Sequence, residues 1–271
     1  MRTAEARLGV VLVALSVAAA LAAPWISPFD PTAMHTASRL SGPSWPFVLG
    51  TDFYGRDLLS RILWGLRSSL AIACVSVTAS ALVGTALGVV SGYLGGRVDT
   101  LIMRTMDVLF AFPVMLLGLA IVAVLGPGFA SIVVAITVVY VPIFARIARG
   151  PTLAARVQPF VEAARALGQR ESVIVLRHVV PNIMGPVLVQ FSNSLATAVL
   201  FESALSFLGL GVRPPTPSLG QMVSEARAYM ELSPWAAVFP GVAIMVVVLG
   251  FNLVSDALQE RFDPKLRHTR L

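Results

Sequence analysis

Six stretches of the sequence are each long and apolar enough to cross a lipid bilayer as an α-helix. The hydrocarbon core of a bilayer is about 30 Å thick, and a helix of roughly 20 apolar residues spans it. The predicted spans are residues 8–26, 69–94, 106–125, 129–148, 185–208 and 235–257. The sequence therefore predicts an all-α integral membrane protein with six transmembrane helices.

The composition supports this class and excludes others. Only 13% of the residues are charged and 56% are hydrophobic, whereas soluble domains carry roughly 25% charged residues. A water-soluble globule of this size could not bury so much apolar surface, and disordered chains are poor in hydrophobic residues. The positive charges are scattered between apolar runs, which argues against a protein that binds nucleic acid.

The positive charges also predict the orientation of the chain in the membrane. With the amino terminus inside, fourteen of the twenty Lys and Arg residues fall on inner segments and six on outer segments. Because Lys and Arg concentrate in cytoplasmic loops, we predict a plasma (inner) membrane protein with both termini in the cytoplasm. This orientation gives one transmembrane domain over residues 1–271, with external segments at 27–68 and 209–234 and a cytoplasmic loop at 149–184.

The first external segment ends in a pattern typical of an amphipathic helix, from Asp57 to Arg67. Asp57 suits an N-cap position, and Leu59, Ile62 and Leu66 fall on one face. Two interpretations stay open: the helix lies in the membrane interface, or it contacts a partner outside the membrane.

The sequence contains no recognisable enzyme site. A P-loop needs a lysine that reaches the nucleotide phosphates, but the only lysine is Lys265, outside any such motif. His35, His178 and His268 lie in separate segments, so no metal site is predicted, and no Gly-x-Ser-x-Gly motif occurs. We expect no catalytic residue, metal or cofactor in this chain, so active transport would need energy from another subunit or an ion gradient.

The cytoplasmic loop contains a predicted short helix that begins at Pro159. Proline suits the first helical position, and Gly168 suits the left-handed residue that ends a helix. A second helical stretch follows over about 171–180, where we expect Pro181 to stop it. Four apolar residues of the first helix share one face: Phe160, Ala163, Ala164 and Leu167.

A helix this short is unstable alone, so its apolar face must be buried against something. One interpretation is that it packs on its own membrane domain. The other is that it docks into a groove of a soluble partner.

The fifth predicted span is unusually polar. Polar residues inside a membrane usually face a bundle interior or a water-filled cavity. We predict that this span lines a solute path, with Glu202 near its outer end, while hydrogen bonding between helices stays open as the alternative. The predicted path residues are Gln190, Asn193, Ser194, Thr197 and Glu202.

Small residues recur at every fourth position of the second span. Such spacing lets two helix backbones approach closely, so we predict that this span packs tightly against another helix. The residues are Ser80, Gly84, Gly88, Gly92 and Gly96.

The cytoplasmic loop resembles the EAA loop of ABC importer permeases. Glu162-Ala-Ala is followed by Gly168 and then Pro181, although His178-Val-Val-Pro stands where that motif has Ile-x-Leu-Pro. The version in this chain is similar to that of the dipeptide/oligopeptide/nickel permease subfamily. Further segments similar to that subfamily are Leu49–Arg61, Ser203–Ser218, Phe251–Asp256 and Asp263-Pro264.

The resemblance implies the architecture of a type I ABC importer permease. Such importers pair two permease subunits with two cytoplasmic ABC ATPase subunits, which bind ATP and magnesium, and with an external solute-binding protein. The EAA loop is the coupling element that sits in the ATPase groove. On this chain the contact would be made by Glu162, Ala163, Ala164 and Gly168, to which the helical periodicity adds Phe160 and Leu167.

The resemblance also implies import of dipeptides or oligopeptides by alternating access, with nickel or another small solute as the alternative cargo. The residues alone leave two other classes open. One is a self-sufficient channel or ion-coupled carrier, and the other is a structural subunit of a membrane complex.

Overall fold

The computed structural model describes residues 2–262, and over this range the chain is mostly helical. Lys265, His268 and the Asp263-Pro264 pair lie outside the described residues. The helices are α1 (Arg2–Ile26), α2 (Leu58–Leu94), α3 (Gly96–Phe110), α4 (Val114–Leu125), α5 (Phe129–Ala155), α6 (Pro159–Ala166), α7 (Glu171–Ile174), α8 (Val180–Phe207), α9 (Leu219–Ala226) and α10 (Trp235–Phe262).

Five helical segments of the described chain are long and apolar enough to cross a membrane, and the bent pair α3–α4 brings the number to six. The five are α1, α2, α5, the continuous stretch Glu171–Phe207, and α10. The prediction of an all-α, multi-pass membrane protein is therefore confirmed.

The prediction that residues 106–125 form the third span as a single helix is wrong. α3 and α4 meet at an angle of 87°, and Pro113 stands at the break as the residue before α4. Proline has no N–H to continue the helical hydrogen bonds and its ring clashes with the preceding turn. α4 has 12 residues, which makes it about 18 Å long, too short to cross the bilayer alone.

Ion pairs hold α3 against the inner end of α5. Arg149 donates two hydrogen bonds of 2.6 Å to the two carboxylate oxygens of Asp99, and Arg146 pairs with Asp107 at 2.6 Å. Two ion pairs along the length of α3 therefore join it to α5.

The predicted separate helix from Asp57 to Arg67 is also wrong, because its residues form the first turns of α2. Asp57 is the N-cap, as predicted, and its carboxylate accepts a hydrogen bond of 2.8 Å from the Ser60 N–H. Ile62 and Leu66 are buried in the chain itself. Neither the membrane interface nor an external partner is therefore needed to cover this face.

The second cytoplasmic helix does not stop at Pro181, as the sequence predicted. The helix runs on from Glu171 to Phe207, with a π-helical turn at Val175–Val179 in which the Val180 N–H bonds to the Val175 carbonyl. The extra residue in this wider turn changes the hydrogen-bonding register just before Pro181. Pro181 then stands in the first turn of α8, where its missing N–H is tolerated.

α2 packs closely against the backbone of α5. A Cβ atom on Gly84 would lie 2.5 Å from the Val141 carbonyl oxygen, and one on Gly92 would lie 2.8 Å from that of Arg149. A Cβ on Gly88 would overlap the Ala145 carbonyl. We call Gly84, Gly88 and Gly92 the glycine ridge.

The two ends of the predicted small-residue stripe differ from each other. Ser80 belongs to it, because its hydroxyl donates to the Ser76 carbonyl and reaches the Thr137 carbonyl on α5 at 3.3 Å. The prediction for Gly96 is wrong: it lies beyond the end of α2, begins α3 with φ +56°, and has no neighbour within 4 Å of a Cβ position.

Residues 27–57, which are predicted to be external, and α9, together called the external layer, cover the amino-terminal end of α2, which we call its outer end. Arg56 bonds to Asp52 through its Nε at 2.6 Å and to Glu225 of α9 through its Nη2 at 2.7 Å. Arg61, with only 2% of its side chain exposed, approaches the same two carboxylates at 3.5 and 3.3 Å. We call these four residues the outer charge cluster; they join the first external segment to α9.

We predict that Gly88→Leu prevents α2 from seating on α5. Overpacking of a filled interior costs about 1–3 kcal/mol, sometimes more, and here the obstacle is backbone. The folded yield and the thermal midpoint in detergent should both fall. Gly241→Leu is the matched control, because Gly241 is a helical glycine with open space around its Cβ position. Equal behaviour of the two variants would contradict the prediction.

Candidate functional site

The short cytoplasmic helix α6 has the ends that its sequence predicts. Pro159 occupies its first turn, and Gly168 follows it with φ +74°. The Gln169 N–H donates to the Ala164 carbonyl at 3.2 Å and the Gly168 N–H to Arg165 at 3.0 Å. This pattern is the Schellman motif, which satisfies the carbonyls at the end of a helix.

α6 divides its apolar residues between two faces. Val161 and Ala164 are buried against the rest of the chain, whereas Phe160 is 40% and Leu167 81% exposed. Ala163 is also exposed, so the exposed stripe is Phe160, Ala163 and Leu167. The assignment of Ala164 to this stripe is wrong, because Ala164 and Val161 are three residues apart and together face inward.

Packing on the membrane domain is confirmed for one face of the helix only, and docking on a soluble partner stays a prediction for the other face. The inner face packs on the membrane domain and holds α6 in place. The outer stripe, together with the exposed Glu162, forms a surface with apolar side chains at the end of the spans that is predicted to face the cytoplasm. We call this outer stripe the coupling surface.

A hydrogen-bonded network connects α6 to the inner end of α2. Arg165 donates from Nε to Glu171 Oε1 at 2.8 Å and from Nη2 to the Tyr93 hydroxyl at 3.2 Å. The Tyr93 hydroxyl in turn donates to the Glu171 carboxylate. The hydrogen bond with Glu171 raises the pKa of Arg165 above its ordinary value, so this group is a permanent cation.

A second arginine, Arg156 at the end of α5, forms hydrogen bonds with the end of α2. Arg156 donates to the carbonyls of Gly92 and Tyr93 at 3.1 and 3.4 Å. A cation at a helix carboxyl end interacts favourably with the unpaired carbonyls there. The inner end of α2 is therefore joined both to α5 and to α6.

Polar residues of α8 fall on an exposed stripe and a buried one. Asn193 and Thr197 are exposed and Gln190 is partly exposed, at spacings of three and four that put them on one face. Ser194 is buried and accepts a hydrogen bond of 3.0 Å from Gln190 Nε2. Its assignment to a solute path is therefore wrong.

The prediction that Glu202 lines the path is wrong as well. Its side chain is fully buried and accepts hydrogen bonds from the hydroxyls of Ser69 at 2.6 Å, Ser206 at 2.7 Å and Ser218 at 3.0 Å. The carboxylate joins α2, α8 and the residue that precedes α9. For this residue the alternative, hydrogen bonding between helices, is what the structure shows.

Sequence reasoning missed the network residues Tyr93 and Glu171. Tyr93 lies 78 positions from its partner Glu171, so no periodic rule connects them. The one local signal is the opposite charge of Arg165 and Glu171 across the glycine turn.

Comparison with known proteins identifies the chain's family. Residues 84–268 match the family of binding-protein-dependent transport system inner membrane components. The chain belongs to this family.

Curated relatives cover nearly the whole of this transport component. It is 40% identical over 259 residues to the dipeptide transport system permease protein DppC of Alkalihalophilus pseudofirmus. The matched region covers 96% of this chain and 85% of the relative. It is 43% identical over 258 residues to the glutathione transport system permease protein GsiD of Pectobacterium atrosepticum, covering 95% and 86%.

Solved structures share the fold of this transport component. A chain of the inward-facing MetNI methionine ABC transporter matches with a TM-score of 0.61 at 18% identity, over 75% of this chain and 96% of that one. A chain of an amino acid ABC transporter with histidines matches with a TM-score of 0.57, also at 18% identity, over 74% and 94%. These likenesses show the permease fold.

The two stripes of α8 predict a pattern of thiol accessibility. In a Cys74→Ser background, which removes the exposed native cysteine, Asn193→Cys and Thr197→Cys should react with a polar thiol reagent at least about tenfold faster than Ser192→Cys and Ser194→Cys, because reaction needs an accessible thiolate. The buried serines are matched controls of the same helix and similar size. Equal rates for all four positions in the purified chain would contradict this division of α8.

Proposed function

We propose that this chain is the membrane-spanning permease subunit of an ATP-driven importer that carries short peptides into the cytoplasm by alternating access. The observation that carries the proposal is α6, a capped helix held to its own domain on one face with Phe160 and Leu167 presented on the other. Chains related over nearly their whole length are named for dipeptide and glutathione transport, and both cargoes are short peptides. Nickel or another small solute is the alternative cargo.

The proposed assembly contains a second permease subunit of the same family, two cytoplasmic ABC ATPases and an external solute-binding protein. ATP and magnesium bind to the ATPases, because this chain has no P-loop. The family description, a binding-protein-dependent transport system, supports the external partner. Both termini then lie in the cytoplasm, which puts α6 on the side where ATP is available.

The coupling surface docks in a groove of one ATPase and moves with it when ATP binding closes the ATPase pair. The Arg165–Glu171–Tyr93 network passes this motion to α2, and the glycine ridge makes α5 move with α2. A ligand that binds one of two conformations better shifts the population toward that conformation. In this proposal nucleotide shifts the permease between inward-open and outward-open states.

The solute path lies along the exposed stripe of α8, Asn193 and Thr197, where the second permease subunit would form the opposite wall. Exposed amides and hydroxyls in a membrane span favour a water-filled cavity over lipid. This placement uses the α8 residues that the chain itself leaves uncovered.

We expect Leu167→Arg to abolish the coupling between ATP hydrolysis and transport in the reconstituted complex. Truncating or charging a residue at the centre of a helix-in-groove contact costs about 2 kcal/mol or more, which is more than tenfold in affinity. Glu162→Lys and Gly168→Val should also weaken the coupling between ATP hydrolysis and transport. Gly168→Val should do so because a side chain at positive φ costs about 1 kcal/mol. The readouts are binding-protein-stimulated ATPase activity and solute uptake in proteoliposomes.

Leu232→Arg is the control for this experiment, because Leu232 is 74% exposed in the second external segment. It should leave both readouts at the wild-type level. Normal coupled transport in Leu167→Arg would contradict the role of the coupling surface. Uptake by the purified chain without any ATPase would instead favour a self-sufficient channel or carrier and overturn the proposal.

We expect Tyr93→Phe and Glu171→Gln to raise the number of ATP molecules hydrolysed per solute transported, by about fivefold or more if the network carries a coupling free energy of 1 kcal/mol or above. The ATPases should still bind, because α6 keeps its exposed stripe. Tyr229→Phe is the matched control, since Tyr229 stacks on Phe53 in the external layer through its ring, 4.2 Å between centroids. An unchanged ratio in both network variants would exclude this route of transmission.

A further inference from the structure

A tight turn of the first external segment exposes apolar side chains that the transport mechanism does not use. Residues 41–50 contain no charged side chain. Within them Trp45 is 89% and Val48 50% exposed. An indole so exposed, in a stretch that also exposes a valine and contains no charged residue, requires an explanation, since tryptophan is enriched at binding surfaces and membrane interfaces, where one end of its side chain is apolar and the other is wet.

The turn that carries Trp45 is held in a fixed shape. The Ser44 and Gly50 N–H groups both donate to the Phe47 carbonyl, at 3.0 and 2.9 Å. Phe47 itself is buried and packs on Phe29 and His35, with ring centroids 5.0 and 5.2 Å apart. Trp45 and Val48 therefore project from a rigid support.

The register of α1 against α10 sets the depth of this turn relative to the bilayer. A Cβ on Gly9 would lie 2.6 Å from Leu253 Cβ, and one on Gly250 would lie 3.1 Å from Leu12 Cβ. These antiparallel contacts bring the outer end of α1 level with the outer end of α10. Trp25 and Trp235 stand at these two ends and are 83% and 41% exposed. Tryptophan is enriched where a span meets the headgroup region, so the two indoles mark the outer membrane interface.

The turn lies beside that interface. A Cβ placed on Gly42 would be 3.4 Å from Trp235 Nε1, and Trp45 is three residues further along the chain. The turn is thus continuous with the interface that the two span ends define, and its lack of charge suits the headgroup and upper acyl region.

We propose that the turn around Trp45 is an anchor in the outer leaflet, with the Trp45 indole and Val48 inserted into the headgroup region of the phospholipid bilayer. The anchor fixes the height of the external layer, which the outer charge cluster joins to α2 and α9. The alternative is that an external protein docks on Trp45. This alternative requires the indole to face water instead of lipid.

Tryptophan fluorescence in lipid nanodiscs tests this directly. The probe is the full chain with Trp25, Trp64 and Trp235 replaced by Phe, so that Trp45 is the only tryptophan, in phosphatidylcholine with or without bromine on the upper acyl carbons. We expect brominated lipid to remove at least half of the Trp45 emission, while aqueous iodide has little effect. The matched control adds Ala37→Trp and Trp45→Phe to the same background, because Ala37 is exposed in the same segment but lies outside the turn. Emission from the tryptophan at position 37 should be quenched by iodide and not by the brominated lipid.

Emission of Trp45 that iodide quenches and brominated lipid does not would overturn the proposal and would put the turn in water. If the triple replacement does not fold, the unmodified chain and its Trp45→Phe variant are compared instead. The proposal then requires a loss of lipid quenching in Trp45→Phe, and equal quenching in the two proteins would overturn it.

Discussion

The contact between the glycine ridge of α2 and the backbone of α5 is the constraint on which the rest of the structure depends. Lipid tails are as apolar as leucine, so helices in a bilayer gain little from simple hydrophobic burial and associate through close packing and hydrogen bonds. Gly84, Gly88 and Gly92 supply that packing, because any side chain there would meet carbonyl groups of α5. The spans α2 and α5 consequently form one closely packed pair.

The ends of this pair carry the features that relate the membrane domain to its two aqueous sides. α2 has 37 residues and is therefore about 55 Å long, more than the hydrocarbon thickness. At its outer end are the outer charge cluster and the buried Glu202 carboxylate, which join it to α8 and α9. At its inner end, Tyr93 bonds to the network that holds α6. In the mechanism that we propose, a displacement of α6 acts on α2, and the glycine ridge transmits it to α5.

Several features of the site followed from the sequence because they depend on local rules. Pro159 and Gly168 define α6 through the missing N–H of one and the positive φ of the other, and both act within a single turn. The ridge followed from its four-residue spacing. Glu202 and Ala164 were misplaced because spacing along a helix gives the face but not what covers it: Glu202 faces hydroxyls contributed by Ser69 and Ser218, and Ala164 faces the membrane domain.

The sequence by itself determined the class of the protein, the approximate position of most of its apolar spans, the bounds of the short helix α6 and the family resemblance. Each of these depends on composition, on periodicity or on neighbouring residues. Only the tertiary structure decided that residues 58–67 belong to α2, that the helix runs on through Pro181, and that Tyr93 meets Glu171. These outcomes depend on contacts between residues far apart in the chain, and the free energy of such contacts is set by the packing of whole helices.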